Sequence, residues 1–428
     1  MGRARDHRAG PAALIALLAL LLALATPAVA AQPPRLEARS WALLDARTGE
    51  VLASHAAARR LPVASTTKMM TAYVAMQELP LDRVVRAAPY DSLYGESLLE
   101  LRPGQRVSVR DLLYGLILRS GNDVANDLAL AAAGSKAAFV RRMNVRAAAL
   151  GLTDTHYANP IGLDEEGNYS SAYDLAVLGR RLMAMPAFAK IASARSARLR
   201  SLRPPRRIET LNDVLLREPW TTGIKTGHTF GAAYVLVGAA RRKGAELISA
   251  VIGTSTETGR DLETLRLLEY GFSLYRKRLP IRAGQALAEA EIRYSGGELP
   301  LRASRTVAIG LRRGERMRVT VRAPDRVEGP IRRGAVLGRA RVWVDGARSA
   351  SVPLRAGRAV PEAGVVDRVR SFIAGNSIVV AVSLSAILIG AALVGTRRRR
   401  RARGEDRKMS RKQRYEMRRQ RREGGARE

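Results

Sequence analysis

Two apolar periods and two stretches without any period divide the chain. Near the start, the runs 40–45 (Ser-Trp-Ala-Leu-Leu-Asp) and 51–53 (Val-Leu-Ala) flank the turn Thr48-Gly49-Glu50 and read as a strand pair. Apolar positions then recur every three or four residues through about 65–79, 109–118, 123–133, 136–150 and 171–183, which is one face of a helix each time. Strand-like runs return at 221–225, 232–241 and 246–253, and a closing helix is predicted over about 259–275. Strand, helices, strands, helix suits an antiparallel sheet carrying helices, so the expected fold class of this part is α+β. Beyond Pro280 the period shortens to two. The runs 307–311, 317–321 and 340–344 alternate between Gly- and Pro-bearing turns and predict a small all-β domain ending near 360.

The stretches without a period lie toward the two ends. Residues 12–25 are unbroken apolar sequence behind Arg3, Arg5 and Arg8, and Ala28-Val29-Ala30 follows Pro27 as a small-x-small cleavage pattern. That is the layout of an export signal over 1–30. Residues 372–396 hold no charged residue, and Arg397 to Arg401 follow at once. Twenty-five uncharged positions are long enough to cross a bilayer as a helix, and clustered Arg beside a span stays cytoplasmic. The expected organisation is a signal at 1–30, a large α+β domain at 31–278, a β domain at 279–360, a linker at 361–371, a single transmembrane helix at 372–396 and a basic cytoplasmic tail at 397–428. The body would then lie outside the cytoplasm, held at the cell membrane.

Composition changes this picture in two places. The formal net charge is +34 over 428 residues. From 397 to 428 there are 16 Lys/Arg against 5 Asp/Glu, and the rest is spread thinly with only 5% aromatic residues. Without aromatic interleaving this is no stacking platform, so nucleic acid is not an expected partner. There is also no cysteine, which removes disulfides, thiolate nucleophiles and Cys metal sites together.

Candidate chemistry comes by elimination and then by spacing. The four histidines, His7, His55, His156 and His228, form no metal-ligand spacing, so neither a metal nor another cofactor is expected. No Gly-x-Ser-x-Gly elbow exists to expose a triad serine. His55 reads as a domain-edge strand residue and His156 as a packing residue. Ser65-Thr66-Thr67-Lys68 opens an apolar helix, and residues three apart share a helix face. Lys68 would stand one turn above the Ser65 hydroxyl, where a neutral amine can take its proton. Taken alone, the same four residues also describe a capped helix with a solvated lysine. Ser120-Gly121-Asn122 alone is equally a turn with a cap, and Lys225-Thr226-Gly227 alone is a strand end.

Together and in this order, Ser-x-x-Lys, Ser-x-Asn and Lys-Thr-Gly make the set characteristic of serine β-lactamases and penicillin-binding proteins. The chain most closely resembles the low-molecular-mass penicillin-binding proteins, the serine D-alanyl-D-alanine carboxypeptidases. Supporting stretches are 119–123, 151–157 with 159–163, 169–174, 223–229 and 267–272, and 329–338 is similar to the second domain of that family. The resemblance implies a transpeptidase-like fold and a substrate class, peptidoglycan stem peptides ending in D-Ala-D-Ala, with β-lactams as covalent inhibitors. It implies that Ser65 attacks, Lys68 takes its proton, Ser120 relays the proton and Lys225 supports the network. Asn122 would hold the substrate's peptide group, the amides of Ser65 and His228 would form the oxyanion hole, Thr226 would bind the terminal carboxylate and Gly227 would leave room for the substrate. A β-lactamase or endopeptidase on the same fold and a non-catalytic penicillin- or peptidoglycan-binding sensor are the competing readings.

Two departures stand out. Relatives carry an Arg in an Asn-Arg-Asn-like run before two leucines, to receive the substrate carboxylate; here 211–216 has none, leaving Arg217 and Arg260 as substitutes. Ala233 also stands where glycine is usual. Glu165 and Glu166 fall in a glycine-flanked turn and receive no role.

Overall fold

The computed structural model describes residues 32–423, so the expected export signal at 1–30 lies outside the described residues. The chain forms two compact units, one comprising 32–280 with Val307–Arg318 and Trp343–Ser349, the other Ile281–Thr306, Val319–Val342 and the chain from Ala350 onward.

The first unit is built on a five-stranded antiparallel sheet of β1 (Ser40–Asp45), β2 (Val51–His55), β7 (Thr221–Thr229), β8 (Ala233–Arg242) and β9 (Ala245–Thr254). The order β2-β1-β9-β8-β7 brings the hairpin from the start of the domain against the last strand and leaves β7 at an edge. Strand β1 is apolar without alternation because both faces are covered. Ala42 and Leu44 face the main core with Leu175 and Leu178, whereas Trp41 and Leu43 face Leu267, Leu268 and Phe272. Full burial of each of these leucines contributes roughly 1.5–3 kcal/mol.

Helices α1 (Lys68–Glu78), α2 (Val109–Leu118), α3 (Asn122–Ala133), α4 (Lys136–Ala149) and α5 (Ala172–Met183) carry the main core, and α6 (Pro186–Ala192) and α7 (Asp213–Arg217) are short. Helix α8 (Glu257–Ser273) covers the other sheet face. Ser108, Ser135, Ser171, Asn212 and Thr256 cap α2, α4, α5, α7 and α8 through their side-chain oxygens, which explains why these helices begin where they do. Two small hairpins, β3 (Val84–Arg86) with β4 (Arg106–Ser108) and β5 (Ser196–Leu199) with β6 (Arg206–Glu209), are too short to leave a sequence period.

The remaining strands are β10 (Arg276–Ile281), β11 (Ala286–Ile292), β12 (Glu298–Ala303), β13 (Val307–Leu311), β14 (Met317–Arg322), β15 (Arg326–Val327), β16 (Val336–Val344) and β17 (Ala347–Ala356). Six form a sheet in the order β14-β16-β17-β12-β11-β15, with Leu299, Leu301, Val342, Val352 and Leu354 buried at alternate positions. The α+β domain followed by an all-β domain is therefore the fold class that the sequence predicts.

Helix α9 (Val365–Gly375) occupies most of the expected linker and ends at Asn376, and α10 (Ser377–Glu423) then runs unbroken. Its stretch Ser377–Arg401 has a mean hydropathy of 2.6 and is not buried among the described residues, which makes it a candidate membrane anchor. The apolar helix starts at Ser377 rather than 372 because Phe372 belongs to the last turn of α9.

Candidate active site

The sequence Ala64–Thr67, entered from Val63, folds as one 3-10 turn leading into α1, not as the first turn of a regular helix. Ala64 takes φ +49, and Thr66 locks the turn by donating its hydroxyl to the Val63 carbonyl oxygen at 2.6 Å. Two glycines from distant parts of the chain press on this turn. A Cβ on Gly162 would sit 2.1 Å from the Ala64 oxygen, and one on Gly227 would sit 3.0 Å from both the Ala64 Cβ and the Ser65 nitrogen. Only glycine permits the approach at 162, and a side chain at 227 would push its neighbours back, so the loop after α4 and the strand β7 both close on Ser65.

Lys68 is fully buried, with its Nζ 2.9 Å from Ser65 Oγ and 2.5 Å from the Ile161 carbonyl oxygen, to which it donates. Asn159 shapes that loop by accepting from the amides of Ile161 and Gly162, and Thr71 on α1 donates to the Pro160 oxygen at 2.6 Å. Burial, then the charge of Lys225, holds the Lys68 amine well below the ordinary lysine value; Glu96 and Asp123 pull the other way.

Ser120 is buried at φ +61 in the joint between α2 and α3, and Asn122 opens α3. The Asn122 amide donates to the Ser97 carbonyl oxygen, and Asp123 accepts from the Leu99 and Leu101 amides. The segment 97–101 is thereby fastened along the start of α3. Lys225 is buried on β7, where it donates to the Thr226 carbonyl oxygen at 2.7 Å. Burial, and then the nearby Arg260 charge, pushes its amine down to about 7. Thr226 and Gly227 are buried beside it, whereas His228 is exposed and its ring stacks on Tyr234 at 4.2 Å.

Such a site can remove the proton of a serine hydroxyl and hold an extended chain along the free edge of β7. Among the described residues no cluster of three or more His, Asp and Glu could hold a metal ion. Compared with known families, residues 27–256 match D-alanyl-D-alanine carboxypeptidase (peptidase S11), and residues 275–362 match the C-terminal domain of penicillin-binding protein 5.

The chain belongs to the D-alanyl-D-alanine carboxypeptidase family.

Relatives and solved structures agree with that placement. The carboxypeptidase DacF of Bacillus subtilis is 31% identical over 340 residues, 77% of this chain and 87% of the relative. DacC of Escherichia coli is 33% identical over 359 residues, 80% of this chain and 89% of the relative. Among solved structures, DacD from Francisella tularensis has 25% identity and a TM-score of 0.56 over 80% of this chain and 98% of its own. Penicillin-binding protein 5 from Haemophilus influenzae has 29% identity and a TM-score of 0.54 over 77% and 99%.

The departures from the carboxypeptidase pattern have structural counterparts. Arg217 is exposed and pairs with Asp213 at 3.6 Å. Arg260 is 2% exposed, pairs with Asp261 at 2.8 Å and Glu257 at 3.1 Å, and lies 6.0 Å from the Tyr234 ring centre. Both guanidiniums are already paired within the protein, and Arg260 acts on Lys225 through its charge. Ala233 adopts φ +54, the region a glycine occupies without strain. His55 ends the edge strand β2, and His156 Nδ1 lies 2.6 Å from the Gly167 oxygen. Glu165 accepts from Asn159 on the exposed side of its loop.

Sequence reading missed Glu96. Its Oε2 accepts from Tyr90 at 2.6 Å and from Asn122 Nδ2 at 2.7 Å, and its Oε1 accepts from the Leu93 amide at 3.0 Å. The run Pro89-Tyr90-Asp91-Ser92-Leu93-Tyr94-Gly95-Glu96 has neither period nor motif, so nothing marked it.

Proposed function

We propose that the chain is a serine-type D-Ala-D-Ala carboxypeptidase whose nucleophile is Ser65 and whose base is Lys68. The observation that carries this reading is the 2.9 Å contact between Ser65 Oγ and a fully buried lysine amine held well below its ordinary pKa. In the neutral form Lys68 Nζ has a lone pair for the Ser65 proton. The freed Oγ attacks the carbonyl carbon between two D-alanines, and the resulting oxyanion lies against the amides of Ser65 and His228. As the C–N bond breaks, Ser120 passes the proton held by Lys68 to the leaving amine, which departs as D-alanine. Water, deprotonated in turn by Lys68, then hydrolyses the ester and restores Ser65.

Asn122 engages the substrate's peptide group and Gly227 leaves space for it along β7. Thr226 takes part in binding the terminal carboxylate, with Lys225 supplying positive charge. A β-lactam ring enters as a mimic of D-Ala-D-Ala and acylates the same oxygen. The apolar helix anchors the protein in the cell membrane, and Arg397 to Arg401 keep its far end cytoplasmic, with the catalytic domain facing the cell wall.

Fluorescent-penicillin labelling of wild type and Ser65→Ala, followed by D-alanine release from diacetyl-Lys-D-Ala-D-Ala, tests the reading. Labelling and release that both vanish in Ser65→Ala support it. Acylation without D-alanine release would instead make the protein a penicillin-binding sensor, and fast steady nitrocefin turnover would make it a β-lactamase.

A further inference from the structure

The connection between β3 and β4 places a carboxylate, Glu96, beside the proposed site, with no part in the reaction described above. Glu96 is held from three directions: by the Tyr90 hydroxyl, the Leu93 amide and Asn122 Nδ2. A carboxylate only accepts hydrogen bonds, while a carboxamide donates through nitrogen and accepts through oxygen. The end of Asn122 facing Glu96 must therefore be Nδ2, which turns Oδ1 the other way. Asn122 itself is 4% exposed and starts a helix whose backbone is fixed through Ser97, so its side chain has little freedom left once Glu96 is in place.

We propose that Glu96 is a positioning residue for the carboxypeptidase reaction, holding the Asn122 carboxamide in one orientation toward the substrate's peptide group. Without it the carboxamide is free to flip and exchange its donor and acceptor ends. This inference rests on the assignment of Ser65, Lys68 and Asn122 made above. A second consequence follows from charge. Lys68 is faced by Ser65 Oγ and the Ile161 oxygen, by Lys225 from β7, by Asp123 from α3 and by Glu96 from the loop. Burial alone would raise the Glu96 pKa, but its hydrogen bonds from Tyr90, Asn122 and the Leu93 amide, with the Lys68 charge, bring it below the ordinary value. Glu96 is therefore ionised at neutral pH and favours the protonated form of Lys68. It orients one residue of the cleft while restraining another.

Glu96→Gln and Glu96→Ala separate the two effects. Glutamine keeps an acceptor for Asn122 but removes the charge. It should retain most of the activity at the optimum and move the acid limb of the kcat/KM profile to lower pH, because Lys68 then stays neutral further down. Alanine removes both and should lower kcat/KM for diacetyl-Lys-D-Ala-D-Ala by about 10- to 100-fold, the loss expected when a binding group is misplaced. Tyr90→Phe leaves the charge and the Asn122 bond and should fall between wild type and Glu96→Ala. Melting temperatures of all three should match wild type, since a purely structural role would lower them together with activity. A Glu96→Ala enzyme with wild-type kcat/KM, or a Glu96→Gln profile that overlays wild type, overturns the proposal. Penicillin labelling of the wild type is read in parallel: if wild type is not acylated at Ser65, the underlying assignment has failed instead.

Discussion

The two sides of the proposed site, α1 and β7, each bury a lysine, and the contrast between their contacts underlies the roles proposed for them. On the α1 wall, Lys68 touches Ser65 Oγ and the Ile161 oxygen and has carboxylates, Glu96 and Asp123, in its electrostatic surroundings. On the β7 wall, Lys225 reaches the carbonyl of its own neighbour Thr226 and has the Arg260 guanidinium nearby. Burial is the leading cause of the lowered pKa in both, so burial does not distinguish them. The contacts do. Among the described residues Lys68 donates to a hydroxyl and Lys225 to a carbonyl, and the proposed base is the one that touches the proposed nucleophile. Lys225, at about 7, is divided between charged and neutral forms near physiological pH, which suits a group that works by its charge.

The largest test of this contrast is to delete each amine in turn. Lys68→Ala should slow acylation of Ser65 by about 10²- to 10⁴-fold, the range of a lost general base. Lys225→Ala should lose less, about 10²-fold, as expected for one lost electrostatic contact. Stopped-flow acylation by a fluorescent penicillin measures both. Equal losses would mean that the two lysines act as one unit and that the division of labour is wrong.

The pH profile gives a smaller but sharper comparison. Lys225 is charged below about 7 and neutral above it, so kcat/KM should fall as the pH rises through about 7. Lys225→Arg, whose guanidinium does not titrate in this range, should carry that limb to higher pH while leaving the acid limb in place. An unmoved basic limb would remove Lys225 as its source.

Stability carries the same signature. Between about 7 and the ordinary value of 10.5, the unfolded chain protonates Lys225 and the native state does not. Because the unfolded state then binds more protons, stability should rise with pH across this window, by about 1.4 kcal/mol per unit for one such lysine, and be lost as the pH falls toward 7. Lys225→Met should flatten that rise in urea titrations. Lys68→Met should likewise remove a rise below the ordinary lysine range, since burial holds Lys68 well below its ordinary value.

Legibility from sequence also differed across the molecule. The candidate span at Ser377–Arg401 needed only composition, because a helix left unburied by the described residues is marked by its own sequence. The two-face burial of β1 and the 3.6 period of the helices placed the main elements within a few residues. Ser65, Lys68, Ser120, Asn122 and Lys225 were named from short motifs, and spacing could align only Ser65 with Lys68, since they share a turn. Nothing in spacing could reveal that Gly162 and Gly227 press on Ala64, or that Ile161 supplies a carbonyl to Lys68. Those contacts join segments 93 to 163 residues apart. Glu96 was invisible because its run 89–96 has neither period nor motif, and the break at Asn376 because an uncharged sequence continues across it.

The smallest expected effect tests whether the β7 wall can be relieved without touching its lysine. Ala233 pairs with Thr229 where β7 turns into β8, and its φ of +54 costs an L-residue energy that glycine avoids. Glycine also loses more backbone freedom on folding, so Ala233→Gly should be stabilising by only about 0.5 kcal/mol, or about 1–2 °C in melting temperature. Lys225 lies well inside β7 and is held by Thr226, so the basic limb near 7 should stay where it is. If the variant instead shifts that limb, the turn is setting the environment of Lys225, and the pKa difference between the two walls reflects backbone strain as well as their neighbouring charges.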